Sequence, residues 1–411
     1  MNWKRKSENN WERLGMKFKR VKLGEYLYIK GRIGWKGLKK AEYLSNGNYR
    51  IINAESLETD KINWNKVDYI SEARYFESPE IMLQNGDILI SKDGTIGKIG
   101  YIENLSMPTT VASGIFVIRN LSTDIIKTRF IYYFLRSRSF RNFIRIRTEG
   151  SVIPHLYQRD FIDLDFPLPP IKVQENIVAI LDAISNKIKL NNCINDNLQH
   201  QALAIFQNYF FDINELPVGW SKGCLLDIAD YLNGLAMQKF RPSNGEIGLP
   251  VLKIKELRQG TCDTSSEFCS PAIKDEFIVH DGDVIFSWSG SLLVDFWCGG
   301  TCGLNQHLFK VTSSVYDKWF YYLWTTYHLK RFIAIATDKA TTMGHIKREE
   351  LSKSEVIIPS DADYQEINAT LKPIIDLIVA NRIANRKFAK IRDKLLPRLM
   401  SGEIDVSNLH I

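Results

Sequence analysis

Four cysteines and a histidine, Cys262, Cys269, Cys298, Cys302 and His307, form the densest group of potential metal ligands in the sequence. Zinc sites usually take their ligands from closely spaced pairs, and no Cys-x2-Cys pair is present, which argues against zinc. Gly94-x-x-Gly97-x-x-Gly100 has the wrong spacing for a dinucleotide fingerprint, and no Gly-Lys-Ser/Thr accompanies it for a phosphate loop. Leu168-Pro169-Pro170-Ile171 lacks the polar first residue and the aromatic last residue that a base-methylating enzyme needs to hold a flipped base. Asp281-x-Asp283 brackets a glycine before an apolar run, which is the pattern of a turn rather than of a metal pair. No catalytic constellation emerges, so a non-catalytic chain is expected.

The cationic residues are more informative. Arg138, Arg141 and Arg145 are spaced i, i+3, i+7, so on a helix they share one face, suited to phosphates or to guanine O6 and N7. A solvated face would have the same spacing. Lys330 and Arg331 occupy the corresponding helix of the second half. Lys92 and Trp288 stand at matching loop positions, where they would touch bases or sugars, or serve simply as turn residues. Gly150 to His155 and Gly344-His345 precede the closing strand of each half and read as structural turns in preference to DNA contacts.

A chain of 411 residues, 45% hydrophobic and 25% charged, is globular and long enough for two to three domains. No apolar run approaches the length of a membrane span, and Met1 to Arg20 is too charged for a secretory signal. Six scattered cysteines fit a reducing compartment, so a cytoplasmic protein is expected. The net charge is +7, and residues 1–40 hold thirteen Lys/Arg against three Asp/Glu. That balance points to a polyanion partner, although a solvated basic arm would look identical.

Positioning these groups requires a frame, and the frame is legible as a repeat. Ile177, Leu181, Ile184, Ile188, Asn191, Asn195, Leu198, Ala202, Ile205 and Tyr209 lie at alternating spacings of four and three. The same pattern returns 190 residues later as Ile367, Leu371, Ile374, Ile378, Asn381, Asn385, Phe388, Arg392, Leu395 and Leu399. This is the seam of a coiled coil, and an Asn at a seam position fixes register at some cost in stability. Asn191, Asn195, Asn381 and Asn385 should therefore meet. Parallel and antiparallel pairings both allow this. Antiparallel is favoured because both helices belong to one chain and a globular segment precedes each. About 40 helical residues span roughly 60 Å, which would hold the two globular segments at opposite ends. Pro373 should kink the second helix or mark its start.

The segments before the helices also share a plan. The strand Tyr49 to Asn53 corresponds to Pro250 to Ile254. Gly86-Asp87-Ile88-Leu89-Ile90-Ser91 matches Gly282-Asp283-Val284-Ile285-Phe286-Ser287. A helix over Ile125 to Ile146 matches one over Trp319 to Ile335, and Phe166 to Pro170 closes the first segment as Val356 to Pro359 closes the second. The boundaries expected are a basic arm at 1–20, a domain at 21–170, a long helix and connector at 171–215, a second domain at 216–360, and a long helix and tail at 361–411. Shared landmarks with divergent loops indicate two modules that recognise different things.

This plan, with Ser401-Gly402-Glu403-Ile404 after the second helix, resembles the DNA-specificity subunit of Type I restriction-modification systems from about Val21 to Val406. The resemblance implies an α+β fold in which two repeated α/β target-recognition domains are joined by two long antiparallel helices, a coiled coil with pseudo-twofold symmetry. It implies that each domain reads half of a bipartite sequence in double-stranded DNA, with a spacer set by the helices. It also implies two methyltransferase subunits and ATP-driven restriction subunits as partners. S-adenosylmethionine, ATP and Mg would then belong to those partners, with no cofactor in this chain. The alternative is a stand-alone DNA-binding or inhibitory protein without enzymatic partners.

Overall fold

Gly86 and Gly282 open matching strands with backbone φ of +94° and +86°, a region that disfavours every residue with a Cβ. The aspartate after each glycine is then turned inward against a cation. Asp87, fully buried, receives Arg119 Nε at 2.7 Å and Nη2 at 2.8 Å, and Asp283 pairs with Lys310 Nζ at 3.0 Å. A Gly-Asp turn feeding a buried strand is thus the same local device used twice.

The computed structural model describes residues 19–33, 37–58, 62–148, 155–213, 215–338 and 345–409. Two compact units divide the chain, Met1–Ile184 with Ile391–Ile411, and Ser185–Lys390. Most of the basic arm expected at 1–20 lies outside the described residues. Its last two residues, Lys19 and Arg20, belong to a strand, Lys19–Lys22, paired antiparallel with Asp165–Leu168. Among the described residues no helix is long and apolar enough to cross a membrane.

In the first unit the strands β1 (Leu27–Gly31), β2 (Ile88–Ser91), β3 (Ile99–Tyr101) and β4 (Ile115–Asn120) form an antiparallel sheet in the order β1-β4-β2-β3. A smaller sheet pairs Arg50–Ile52 with Thr109–Val111 in parallel and with Asp68–Tyr69 antiparallel. The helical stretch expected over Ile125 to Ile146 is two helices, α1 (Thr128–Leu135) and α2 (Arg138–Thr148). The break falls at Ser137, whose buried hydroxyl accepts the Phe140 N–H at 3.3 Å; a serine capping the next turn competes with continuing the previous helix. Phe130, Phe134 and Phe166 interlock at the core, with Phe134 and Phe166 ring centroids 4.5 Å apart.

A long helix, α3 (Ile171–Phe210), starts directly after Pro169-Pro170. Its first turn is tied to the first unit by the buried Gln174, which donates to Pro169 O at 2.8 Å and Ile125 O at 3.1 Å and accepts Lys127 N–H at 2.9 Å. Asp182, one face further on, receives Arg129 and the Tyr133 hydroxyl, the latter at 2.5 Å. Ile177 and Leu181 bury their side chains beside Leu396, Leu399 and Val406.

The second unit repeats the plan. Strands β5 (Asp230–Asn233), β6 (Val284–Ser287), β7 (Leu293–Phe296) and β8 (Leu308–Thr312) form an antiparallel sheet in the order β5-β8-β6-β7. Leu249–Leu252 runs parallel to Cys302–Leu304 in a second sheet, and Ser221–Cys224 closes on Glu355–Ile358. Helix α4 spans Lys318–Asp338 and the second long helix, α5, spans Asp361–Met400. Pro373 does not mark the start of α5, which runs through it from Asp361. Ser360 caps that start, its hydroxyl accepting the Asp363 N–H at 3.3 Å. A proline inside a helix removes one N–H donor, and here its side chain is exposed. The rest of α5 is clamped to its domain by Arg386, bidentate on Asp281 at 2.7 and 2.5 Å, and by Arg382 on Asp295 at 2.5 Å.

Within the second unit the four asparagines form one layer. Asn191 Nδ2 donates to Asn385 Oδ1 at 2.8 Å and Asn381 Nδ2 to Asn195 Oδ1 at 2.9 Å, while Asn385 Nδ2 reaches Asn192 Oδ1 at 2.8 Å. Pairing 191 with 385 and 195 with 381 makes these segments antiparallel. Asn191 and Asn195 are buried, so removing one member leaves its partners unmet. Asn385→Leu should cost about 1–3 kcal/mol in urea unfolding, whereas replacing Asn191, Asn195, Asn381 and Asn385 together by Leu should be neutral or stabilising. Equal losses in the single and quadruple variants would contradict the layer's mutual dependence.

One buried group gives this unit a pH dependence. His328 stacks beside Trp324 and hydrogen-bonds Glu355 O through Nε2 at 2.8 Å. Burial pushes its imidazole below the ordinary histidine range. The folded state thus favours the neutral ring, and the stability this contributes is complete above the unfolded value of about 6.5 and declines as pH falls below it. Melting His328→Gln beside the parent chain from pH 8 to 5 should show the parent losing its advantage on the acid side. A constant difference would rule the linkage out.

Candidate nucleic-acid interface

Helix α2 supplies the clearest cationic face. Arg138, Arg141 and Arg145 are all exposed, and none of their guanidinium groups has an ion-pair or hydrogen-bond partner among the described residues. The neighbouring Arg147 differs, since it lies 3.5 Å from Asp160 and over the Phe143 ring. Arg138 sits at the positive end of the helix dipole, where a cation is unfavourable. Helix stability therefore does not account for it.

The other sequence-selected residues are more engaged. Lys330 is exposed on α4 without a partner among the described residues. Arg331 beside it turns back to Glu350 and Ser354, with Nη2 at 3.0 Å from Glu350 O and 2.5 Å from Ser354 Oγ. Lys92 is not an exposed loop tip. Its side chain is 13% exposed, 3.0 Å from Asp93 Oδ2 and 5.5 Å above the Phe116 ring. Trp288 lies over Phe309 with ring centroids 5.7 Å apart, and its Nε1 donates to Asn233 Oδ1 at 3.0 Å.

The two units place these residues alike. Phe116 pairs with Ile90 as Phe309 pairs with Phe286, so Lys92 on Phe116 corresponds to Trp288 on Phe309. The next residues, Asp93 and Ser289, form β-bridges with His155 and His345. Asp93 also accepts His155 Nδ1 through its side chain. Gly150 and Gly344, read as part of turns here, lie outside the described residues. Asp93 was not singled out by sequence, although its equivalence to Ser289, opposite a histidine in each half, was the available signal. Cys262 and Cys302 stand with sulfurs 3.5 Å apart, and among the described residues no group of three or more His, Cys, Asp or Glu is placed to hold a metal ion.

Two modules of one topology with different groups at matching sheet ends are what a two-part reader of polymer sequence requires. The model for the Type I restriction modification DNA specificity domain matches residues 17–200 and again 217–386. The chain belongs to the Type I restriction-modification DNA specificity family. Among similar proteins, the Type I restriction enzyme MjaIX specificity subunit of Methanocaldococcus jannaschii is 25% identical over 83% of this chain and 82% of its own. The MjaVIII specificity subunit of the same organism is 23% identical over 95% and 93%. A solved structure, the Type-I restriction-modification system S subunit from M. genitalium, shares the fold at a TM-score of 0.53 and 14% identity, covering 97% of this chain and 99% of that one. This specificity subunit is a DNA-recognition chain without a catalytic centre of its own, built from two specificity domains and two long helices.

Proposed function

We propose that this specificity subunit recognises a bipartite sequence in double-stranded DNA, one half through each domain, and carries the other subunits of a Type I restriction-modification enzyme in the cytoplasm. Two methyltransferase subunits dock on it, and restriction subunits join for cleavage. S-adenosylmethionine, ATP and Mg are held by those partners. The observation that carries the reading is the double occurrence of one topology with different residues, Lys92-Asp93 and Trp288-Ser289, at the same sheet position. A shared scaffold with altered tips fits two modules of different sequence preference. Arg138, Arg141, Arg145 and Lys330 contact the DNA backbone. Asn191, Asn195, Asn381 and Asn385 set the helix register.

Co-expression with a methyltransferase partner and native mass measurement test the assembly. Two methyltransferase copies per chain are expected. A chain that purifies alone, or with one copy at saturation, contradicts the proposed stoichiometry.

A further inference from the structure

Phosphate contacts fix position on a duplex but carry no sequence information, so discrimination needs a site that presents donors and acceptors to base edges. The first unit contains a concavity of this kind, a cleft of 510 Å³ whose lining includes Lys30, Arg32, Glu80, Lys92, Phe116, His155, Tyr157 and Gln158. Its floor is Arg32, only 4% exposed, which donates to Val111 O at 3.2 Å, Ser78 Oγ at 3.2 Å and Thr110 Oγ1 at 3.5 Å, with the carboxylates of Glu77 and Glu80 near enough to act on its charge. Burial lowers the pKa of its guanidinium from the ordinary arginine value. Glu80 Oε1 is buried with no hydrogen-bond partner. A buried acceptor without a donor is uncommon in folded proteins and calls for an explanation.

The rim is equally uncommitted. Lys30 is exposed, its ammonium 6.0 Å from the centroid of the Tyr28 ring and without an ion pair among the described residues, and Gln158 has no side-chain partner there. Lys92 and His155 both bind Asp93, which fixes them as wall rather than as probes. An anion such as phosphate would meet Lys30 but would also face the Glu80 carboxylate. A base pair offering acceptors on one base and an amino donor on the other satisfies both. Guanine O6 and N7 beside cytosine N4 present that combination in the major groove. In the second unit the Trp288 indole stands where Lys92 stands in the first, its Nε1 held by Asn233, so the second half-site is read by different groups.

We propose that this cleft reads a C·G base pair of the first half-site, Lys30 donating to guanine O6 and N7 and Glu80 accepting from the cytosine N4 amino group. The assignment rests on the bipartite reading given under Proposed function. The test uses the full chain in complex with its methyltransferase partners, selecting from a duplex library with both half-sites randomised. Glu80→Gln and Lys30→Ala should each relax one position of the first half-site, lowering its discrimination by roughly tenfold or more, with the second half-site unchanged. Lys92→Trp, which introduces the second unit's residue, should relax the same position.

The proposal is overturned if Glu80→Gln and Lys30→Ala both select the parent motif with discrimination within about twofold of the parent. It is also overturned if binding weakens evenly across sequences, since that marks a structural or backbone role. Should Glu80→Gln fail to fold, Lys30→Ala decides alone because its side chain is exposed. A parent complex that selects no two-part motif would refute the bipartite reading itself, and with it the basis of this assignment.

Discussion

Replacing Arg138, Arg141 and Arg145 together by Glu is expected to weaken DNA binding at least about tenfold in low salt and to flatten its salt dependence. Each phosphate contact contributes about 0.9 to the slope of log affinity against log salt, so losing three should reduce the slope by roughly 2.7. The structure favours this outcome over a passive surface for two reasons. The three guanidinium groups are exposed and unpaired among the described residues, while Arg136, Arg147 and Arg331 nearby in sequence or in kind are engaged with Tyr132, Asp160 and Glu350. In addition, Arg138 opposes the dipole of its own helix, so Glu at that position should stabilise α2 by about 0.3–1 kcal/mol. Glu at 145, in the last turn of α2, loses a dipole contribution of comparable size, so the net effect on the helix is small and unfolding is not the expected route to lost binding. Unchanged affinity in low salt, with normal assembly, would remove this face from the interface.

Trp319→Ala should be the most damaging of the single substitutions considered, destabilising the second unit by about 3–5 kcal/mol in denaturant unfolding. Trp319 is 1% exposed and lies among Phe320, Tyr364 and Ile367 in one core cluster. Its Nε1 donates to Asn368 Oδ1 at 2.7 Å, and its ring stacks on Tyr364 with centroids 5.6 Å apart. It thus fastens α4 to α5. Trp319→Phe keeps most of the ring but orphans the Asn368 oxygen, and should cost about 1–3 kcal/mol. If Phe proved as costly as Ala, the hydrogen bond rather than the packing would dominate this junction.

The long helices were legible because their signal is local. A seam at spacings of four and three is written in consecutive turns, and the asparagines interrupt it at matching places. The Gly-Asp strands were legible for the same reason, since a turn glycine and an apolar run need no distant partner. Where sequence reading departed from the structure, a non-local partner or a competing cap was responsible. No Gly or Pro stands between Leu135 and Phe140, so nothing in the sequence marks the break that Ser137 imposes. Lys92 reads as a loop cation, but Phe116, brought alongside by β4, folds it inward. Arg331 is claimed by Glu350, 19 residues further on. Glu80 and Lys30 carried no sequence signal, because their juxtaposition exists only once β1 and the Pro79–Ile81 turn are in place.

On this account the chain gives a Type I enzyme its two-part sequence preference. Methylation-sensitive sequencing of the host genome, with the gene deleted and then restored, tests it most directly. A split methylated motif that disappears on deletion and returns on complementation is the predicted result. A methylation pattern identical in the presence and absence of the gene would contradict it.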